Sequence, residues 1–419
     1  MIQKAKQKSA LIVGAGIGGL TAAHALQQNG WHAQVFERAA AFDAIGAGIQ
    51  LSPNATRVLA RLGLLDQIRA QAFAPQAAVI RDGLSGKTQM YAPLKGFCER
   101  FYGAPYLHIY RPDLHAVLAQ GLDISLKTAA IGYESGAVHF HRQRSGEGLN
   151  PTENQNPRPV KNQSRAKDQS QAKDQGPAKG QSPVAADFSV TADLIVAADG
   201  LRSTLQQQVN GPQPPRFTGQ VAWRGLVSAS SDLHNLIPKD ATVWIGRGQH
   251  LVTYFLRPDL INFVAVTEQD DWREQGWNLP GPMSELQDRF QGWHPAIQTL
   301  LTACETSRRW ALFDRPPLPR WVDGTVALLG DSAHPTLPFL AQGAALAIED
   351  AWALARYAPN LTAYERTRKP RATALQTWAR SNANLYHQTR QIDRLKMRLS
   401  RNLCRGPQAH ALLWQIFRA

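Results

Sequence analysis

Cysteine is scarce in this chain of 419 residues: Cys98, Cys304 and Cys404 stand far apart, with no CxxC pair among them. Such spacing excludes a disulfide framework and a thiolate metal cage, so the three read as reduced thiols of a cytoplasmic protein and no metal is expected. No apolar run is long enough to span a bilayer. Lys4, Lys6 and Lys8 ahead of the small, apolar stretch 9–26 imitate a secretory signal, but cleavage there would remove a glycine turn on which the later motifs depend. The net charge of +14 suggests nucleic acid only until it is apportioned. Residues 365–419 carry 12 Lys/Arg against 2 Asp/Glu, and residues 141–184 carry 8 against 4, which accounts for the whole excess. The body of the chain is neutral, and nucleic acid is not expected as a partner.

What the chain does have is length for two or three structural units and a 43% hydrophobic content that suits a sizeable core. Residues 161–184 read KNQSRA, KDQSQA, KDQGPA, KGQSPV, a hexapeptide repeated four times with Lys161, Lys167, Lys173 and Lys179 in register. With almost no large apolar residue to offset its ordering entropy, the stretch 145–184 is expected to be a disordered insert. Its flanks, 137–140 and 188–190, look like two strand ends across a hairpin, with His139 and His141 on a strand face. Strands are expected over 221–227, 242–245, 251–256 and 260–266, with turns at Gly246-Arg247-Gly248 and Pro258-Asp259. After Gly343 the chain turns helical, over 344–358 and again over 391–403. There Ile392, Leu395, Leu399 and Leu403 make an apolar stripe amid Arg390, Arg394, Lys396, Arg398 and Arg401, suiting a helix docked on the body or an anionic membrane surface.

Chemistry enters at residues 10–13, a buried strand running into Gly14-Ala15-Gly16-Ile17-Gly18-Gly19 and a helix over 20–27. Gly14, Gly16 and Gly19 let the backbone turn sharply and approach a pyrophosphate, whose charge the helix N-terminus stabilises. An acidic residue about twenty positions on should close the second strand and grip ribose hydroxyls; Glu37 stands there, with Arg38 beside it. Two further apolar strands end in motifs of their own: 193–198 in Asp199-Gly200, and 325–329 in Gly330-Asp331-Ser332-Ala333-His334.

These three fingerprints resemble those of the single-component (class A) FAD-dependent aromatic hydroxylases, the superfamily of para-hydroxybenzoate hydroxylase. Gly48-Ile49-Gln50-Leu51-Ser52-Pro53-Asn54, Arg111-Pro112-Asp113-Leu114, Val221-Ala222-Trp223-Arg224-Gly225 and Leu340-Ala341-Gln342-Gly343-Ala344 are similar to its salicylate hydroxylase branch. The resemblance implies an α/β (α+β) chain: a Rossmann-like FAD-binding domain (1–75, 104–144, 185–210 and 320–362), an inserted antiparallel-sheet substrate domain (76–103 and 211–319), and a basic helical C-terminal region (363–419). It implies FAD as cofactor and NAD(P)H as transient co-substrate, since no second GxGxxG unit is present. Oxygen then adds at flavin C4a, and the hydroperoxide hydroxylates an electron-rich ring. Asp331 would contact the ribityl chain, Arg111 would lie near the diphosphate and ribityl region, and Asp199-Gly200 would support cofactor and nicotinamide sites. Pro338 would sit at the isoalloxazine edge. The helix opened by Gln342, Gly343 and Ala344 would face the N1 and C2 carbonyl end, stabilising charge there by roughly 0.3 to 2 kcal/mol.

For the substrate, alternation places Ala222, Arg224 and Leu226 on one sheet face and His250, Val252, Tyr254 and Leu256 on a face of another strand. If those faces line the pocket, Arg224 would pair with a substrate carboxylate and Tyr254 would hydrogen-bond a phenol. An outward ion pair for Arg224 and a core role for Tyr254 remain open. His334, inside the Gly-Asp motif, reads as structural. The resulting expectation is a monooxygenase, monomeric or homodimeric, acting on a phenolic or pyridine carboxylate with O2 and NAD(P)H. A membrane-associated quinone-biosynthesis hydroxylase and a non-catalytic flavoprotein are the alternatives. Phe339-Leu340-Ala341-Gln342 and Ser332 depart from the parent pattern, and the insert has no counterpart in it.

Overall fold

The strand Ser9–Val13 is apolar on both faces and takes the centre of a six-stranded sheet. Around it the order runs Val322–Asp323, Val326–Leu328, Leu194–Ala197, Ser9–Val13, His32–Phe36, Asp123–Ser125, every neighbour parallel except the first pair. Parallel strands need cover on both faces, and Ile12, Val35, Ile195, Val196 and Leu328 are accordingly buried. Helices Ile17–Gln28 and Gly343–Tyr357 pack against each other on this sheet; a Cβ added at Gly18 would meet Ala347 at 3.1 Å. Phe36 stacks on Phe140 with centroids 4.4 Å apart, docking a smaller sheet of Thr128–Glu134, Ala137–Arg142 and Phe188–Thr191. The Rossmann-like class holds. The computed structural model describes residues 7–42, 47–142, 187–272, 279–387 and 416–417. Both the repeat insert 145–184 and the helix expected over 391–403 lie outside the described residues.

The second sheet has eight strands in the order Leu279–Gly281, Ser307–Asp314, Arg216–Ser228, Leu260–Glu268, Gln249–Arg257, Ala241–Gly246, Ala77–Asp82, Thr88–Pro93. It is antiparallel except where Ala241–Gly246 meets Ala77–Asp82, a parallel pair that the sequence reading did not contain. Parallel neighbours need a long crossover, and the chain between these two strands passes through the nucleotide-type sheet before returning. One face of the large sheet is apolar and closed: Trp223, Leu251, Phe255 and Phe263 pack against the helices Met283–Arg289 and Pro295–Thr302. The opposite face turns toward the first sheet.

A 27-residue helix, Leu361–His387, bridges the two. Its buried positions Tyr364, Arg368, Ala372, Leu375, Ala379, Ala383 and His387 recur every three or four residues, the stripe of a helix laid on a core. Ala379 and Ala383 join Leu312, Leu337 and Phe339, while Tyr386 reaches Ile80 and Ile245. No helix among the described residues is long and apolar enough to cross a membrane.

Candidate active site

The glycine turn is held by its own geometry. Gly14 has φ +100°, and a Cβ there would lie 2.4 Å from the Ala198 carbonyl oxygen; one at Gly19 would lie 2.0 Å from that of Gly14. Gly16 is different, since an added Cβ meets no atom of the described residues within 4 Å. It caps the helix Ile17–Gln28 without a side-chain hydrogen bond, leaving first-turn N–H groups for an anion. Glu37 accepts from the backbone N–H groups of Ala15 and Ala39, each at 2.8 Å. Its carboxylate therefore locks the turn and keeps lone pairs for further donors. Arg38 is exposed.

Just after the strand Val326–Leu328 stands Asp331, a solvent-accessible residue whose carboxyl is nonetheless surrounded by protein atoms. Desolvation raises its pKa, against the opposing charges of His334 and Arg111. Gly330 beside it takes φ +65°, which favours glycine. Asp199 accepts from the Thr204 N–H at 3.0 Å through one oxygen, while the other is buried with no partner among the described residues; burial raises the pKa of this carboxyl too. Arg111 opens the helix Arg111–Ala119 directly after the strand Leu107–Tyr110.

The helix Gly343–Tyr357 also begins without a side-chain cap, and nothing lies within 4 Å of a Cβ added at Gly343. Gln342 is buried: its amide donates to Ser52 Oγ at 3.0 Å and accepts from Asn54 Nδ2 at 3.2 Å. Its amide thereby holds the helix start against the Ser52-Pro53-Asn54 corner. Two turns on, Glu349 accepts from Asn54 at 2.6 Å, Arg368 at 2.6 Å and both Nε and Nη2 of Arg371 at 2.8 Å. Asp350 is bound by His334 and, at 2.7 Å, by Arg368. Burial alone would raise both carboxyls, and the facing cations hold them below their ordinary range. The sequence reading missed this charged cluster, although it had placed His334 as structural. Pro338 is exposed at the adjoining turn Pro338–Leu340.

Strand register assembles the opposite wall. Ala222 pairs with Val266 and Val266 with His250; Arg224 with Val264 and Val264 with Val252; Leu226 with Asn262 and Asn262 with Tyr254. Partners in register share a face, so the two candidate faces read from alternation are one surface. Arg224 lies 4.5 Å over the Trp310 ring, and its buried Nε has no partner among the described residues. Burial lowers its pKa, partly offset by Tyr254. Tyr254 is buried and burial raises its phenol, so it stands as a neutral hydroxyl with the Arg224 charge acting on it. Gly48 is pressed against this surface: its N–H donates to Asn262 Oδ1 at 2.9 Å, and a Cβ would sit 2.6 Å from the Tyr254 hydroxyl. Asn262 and Trp310 were not singled out from sequence, since only pairing across strands shows that they belong here.

A glycine-turn nucleotide fold joined to a polar-studded sheet wall defines the flavoprotein class in which a cofactor lies between the two sheets. Residues 7–379 match the family described as FAD binding domain, and the chain belongs to that family. The 6-hydroxynicotinate 3-monooxygenase of Pseudomonas fluorescens is 31% identical over 88% of this chain and 91% of its own. The 3-hydroxybenzoate 6-hydroxylase 1 of Aquipseudomonas alcaligenes is 32% identical over 90% and 89%. Among solved structures, a variant of Klebsiella pneumoniae HpxO complexed with FAD has a TM-score of 0.78 at 24% identity, covering 98% of each chain. A salicylate hydroxylase substrate complex has 0.68 at 22% identity, covering 99% of each. These two show the fold. The chain is an FAD-dependent monooxygenase, and the residues present fit the cofactor: two helix starts without a side-chain cap, two glycines whose Cβ would meet no atom of the described residues within 4 Å, and an Asp199 oxygen with no partner among the described residues.

Proposed function

We propose that this monooxygenase hydroxylates a small aromatic carboxylate, phenolic or pyridine, whose acid group is held by Arg224. The observation that carries the reading is the Arg224 guanidinium, stacked on Trp310, carrying a buried, unpartnered Nε and sharing a sheet face with Tyr254. A buried cation without an anion is unfavourable, and a planar carboxylate from outside the chain would satisfy it. Relatives named for hydroxynicotinate and hydroxybenzoate substrates support the class. Bound FAD, reduced by NAD(P)H, supplies the activated oxygen from O2.

In this reading Gly14, Gly16, Gly19, Glu37 and Arg38 hold the adenosine diphosphate end. Arg111, Asp199, Gly330 and Asp331 serve the middle of the cofactor, and Pro338, Gly343 and Ala344 its ring edge. Tyr254 donates to the substrate, and Gln342 positions the helix start. Segments 1–75, 104–144, 185–210 and 320–362 form the cofactor unit, and 76–103 with 211–319 the substrate unit. Buried free thiols at Cys98 and Cys304 support a cytoplasmic setting.

Arg224→Ala tests the reading. Removing one partner of a buried charge pair costs about 2–5 kcal/mol, so aromatic acids should bind far more weakly while their uncharged amides bind as before. Equal affinity for the acid in folded, flavin-loaded parent and variant would exclude the carboxylate role.

A further inference from the structure

Ala15, within the glycine turn, is gripped on both sides. Its N–H donates to Glu37 at 2.8 Å, and its carbonyl oxygen lies 2.6 Å from Nε2 of His115. A carbonyl only accepts, so Nε2 carries the ring proton and Nδ1 the lone pair. Burial lowers the His115 pKa, and the nearby Arg111 charge adds to this against the opposing Ala15 bond and Glu37, which leaves the ring neutral at neutral pH. Phe42 lies against that ring, with centroids 4.2 Å apart.

The helix Arg111–Ala119 that carries His115 is itself pinned. The Arg111 N–H donates to the Ala47 carbonyl at 2.8 Å, Asp113 pairs with Arg257 of the large sheet at 2.6 Å, and Nε2 of His24, on the helix Ile17–Gln28, lies 2.9 Å from the Leu118 carbonyl. Two imidazole-to-carbonyl bonds thus tie these helices together. His24 joins their bodies, whereas His115 reaches the turn. The bond at Ala15 also sets the peptide that follows. The Ala15 carbonyl and the Gly16 N–H belong to one planar trans unit and point in opposite directions. An oxygen turned toward His115 therefore turns the Gly16 N–H away from it, to where no acceptor among the described residues meets it. Donation to that carbonyl polarises the peptide and strengthens its N–H as a donor.

We propose that His115 is a positioning residue for FAD: it holds the peptide joining Ala15 to Gly16 so that the Gly16 N–H is aimed at the diphosphate of the cofactor. The proposal rests on the reading that the glycine turn holds that end of FAD. Gly16 is the residue of the turn whose added Cβ meets no atom of the described residues within 4 Å, so the aimed N–H and the open approach coincide. His115 acts through the peptide and touches no cofactor atom in this scheme.

FAD release from the holoenzyme on serial dilution, followed by flavin fluorescence, and the phosphorus NMR resonances of the bound FAD test the assignment. His115→Phe keeps a ring against Phe42 and removes the donor, whereas His115→Gln removes the ring and keeps an Nε2 donor. Losing the bond and leaving the carbonyl unpaired should weaken FAD binding about tenfold in His115→Phe and move its diphosphate resonances. His115→Gln should bind FAD within about threefold of the parent, with resonances near the parent positions. His24→Phe cuts the other tie between the two helices and should leave the resonances in place; a shift there would assign the effect to helix packing and overturn the proposal. Parent-like affinity and resonances in folded His115→Phe, or an equal loss in His115→Phe and His115→Gln, overturns it as well. Should His115→Phe not fold, His115→Asn, whose shorter amide stops short of the carbonyl, takes its place with the same expectation. Gly16→Val separates the underlying reading: the extended backbone of Gly16 admits a side chain, so the cofactor alone is obstructed. Full FAD retention in that variant overturns the placement of the diphosphate, and the role of His115 with it.

Discussion

Asp331 shows what enclosure costs a carboxylate. Its carboxylate is enclosed by protein and pushed toward the neutral form by desolvation, with only the charges of His334 and Arg111 opposing. A hydroxyl donor from the cofactor would relieve that, and hydrogen bonds to charged groups contribute about 1.5–3 kcal/mol. Asp331→Ala should accordingly lower FAD affinity roughly 10- to 100-fold. The ratio of flavin to protein absorbance after dialysis measures it, and full retention would remove Asp331 from the cofactor site. Residues such as this were legible in the sequence because they sit at the ends of short, buried strands within contiguous motifs. The partners of Gln342 were not legible, since Ser52 and Asn54 lie almost three hundred residues away.

The helix Gly343–Tyr357 carries the same lesson at the scale of an element. Its composition gives an Ala- and Leu-rich helix at once, but the burial of Glu349 and Asp350 shows only in the fold. Their cations, Arg368 and Arg371, come from the following helix, and only folding brings them together. Arg371 also donates to the Ile416 carbonyl, so one carboxylate ties the helix Gly343–Tyr357 to the chain's last described residues. Removing one member of such a cluster leaves buried charge uncompensated, at about 3–5 kcal/mol. Glu349→Gln should therefore lower Tm by many degrees and loosen flavin binding. A Tm within a degree or two of the parent would show that the cluster contributes little. The large sheet was half legible for a related reason: turn residues announced the strands over 242–266, but nothing local signals that Ala77–Asp82 runs parallel to Ala241–Gly246.

At the scale of the molecule, the hairpin ends bracketing the repeat insert were legible from composition alone, and Phe188 does pair with Phe140. The distribution of histidine was not, because burial of an imidazole depends on the assembled core. His24, His108, His115, His250 and His387 all have lowered pKa values, His108 to about 3, with desolvation the leading cause each time. These rings are neutral in the folded protein, while in the unfolded chain they take up protons below their ordinary value of 6.5. A depressed folded pKa means stability that is full above the unfolded value and is lost as pH falls toward the folded one. Asp199, Asp240 and Asp331 have raised pKa values and act in the opposite sense, but they are fewer and titrate from 3.8 upward. Stability should thus decline between about pH 7 and 5.5, by up to ~1.4 kcal/mol per pH unit for each fully titrating histidine. Calorimetry at fixed flavin occupancy, in buffers of different ionisation enthalpy, should record net proton uptake on unfolding at pH 6. Proton release there, or a Tm that rises on acidification, would mean that the carboxylates outweigh the histidines.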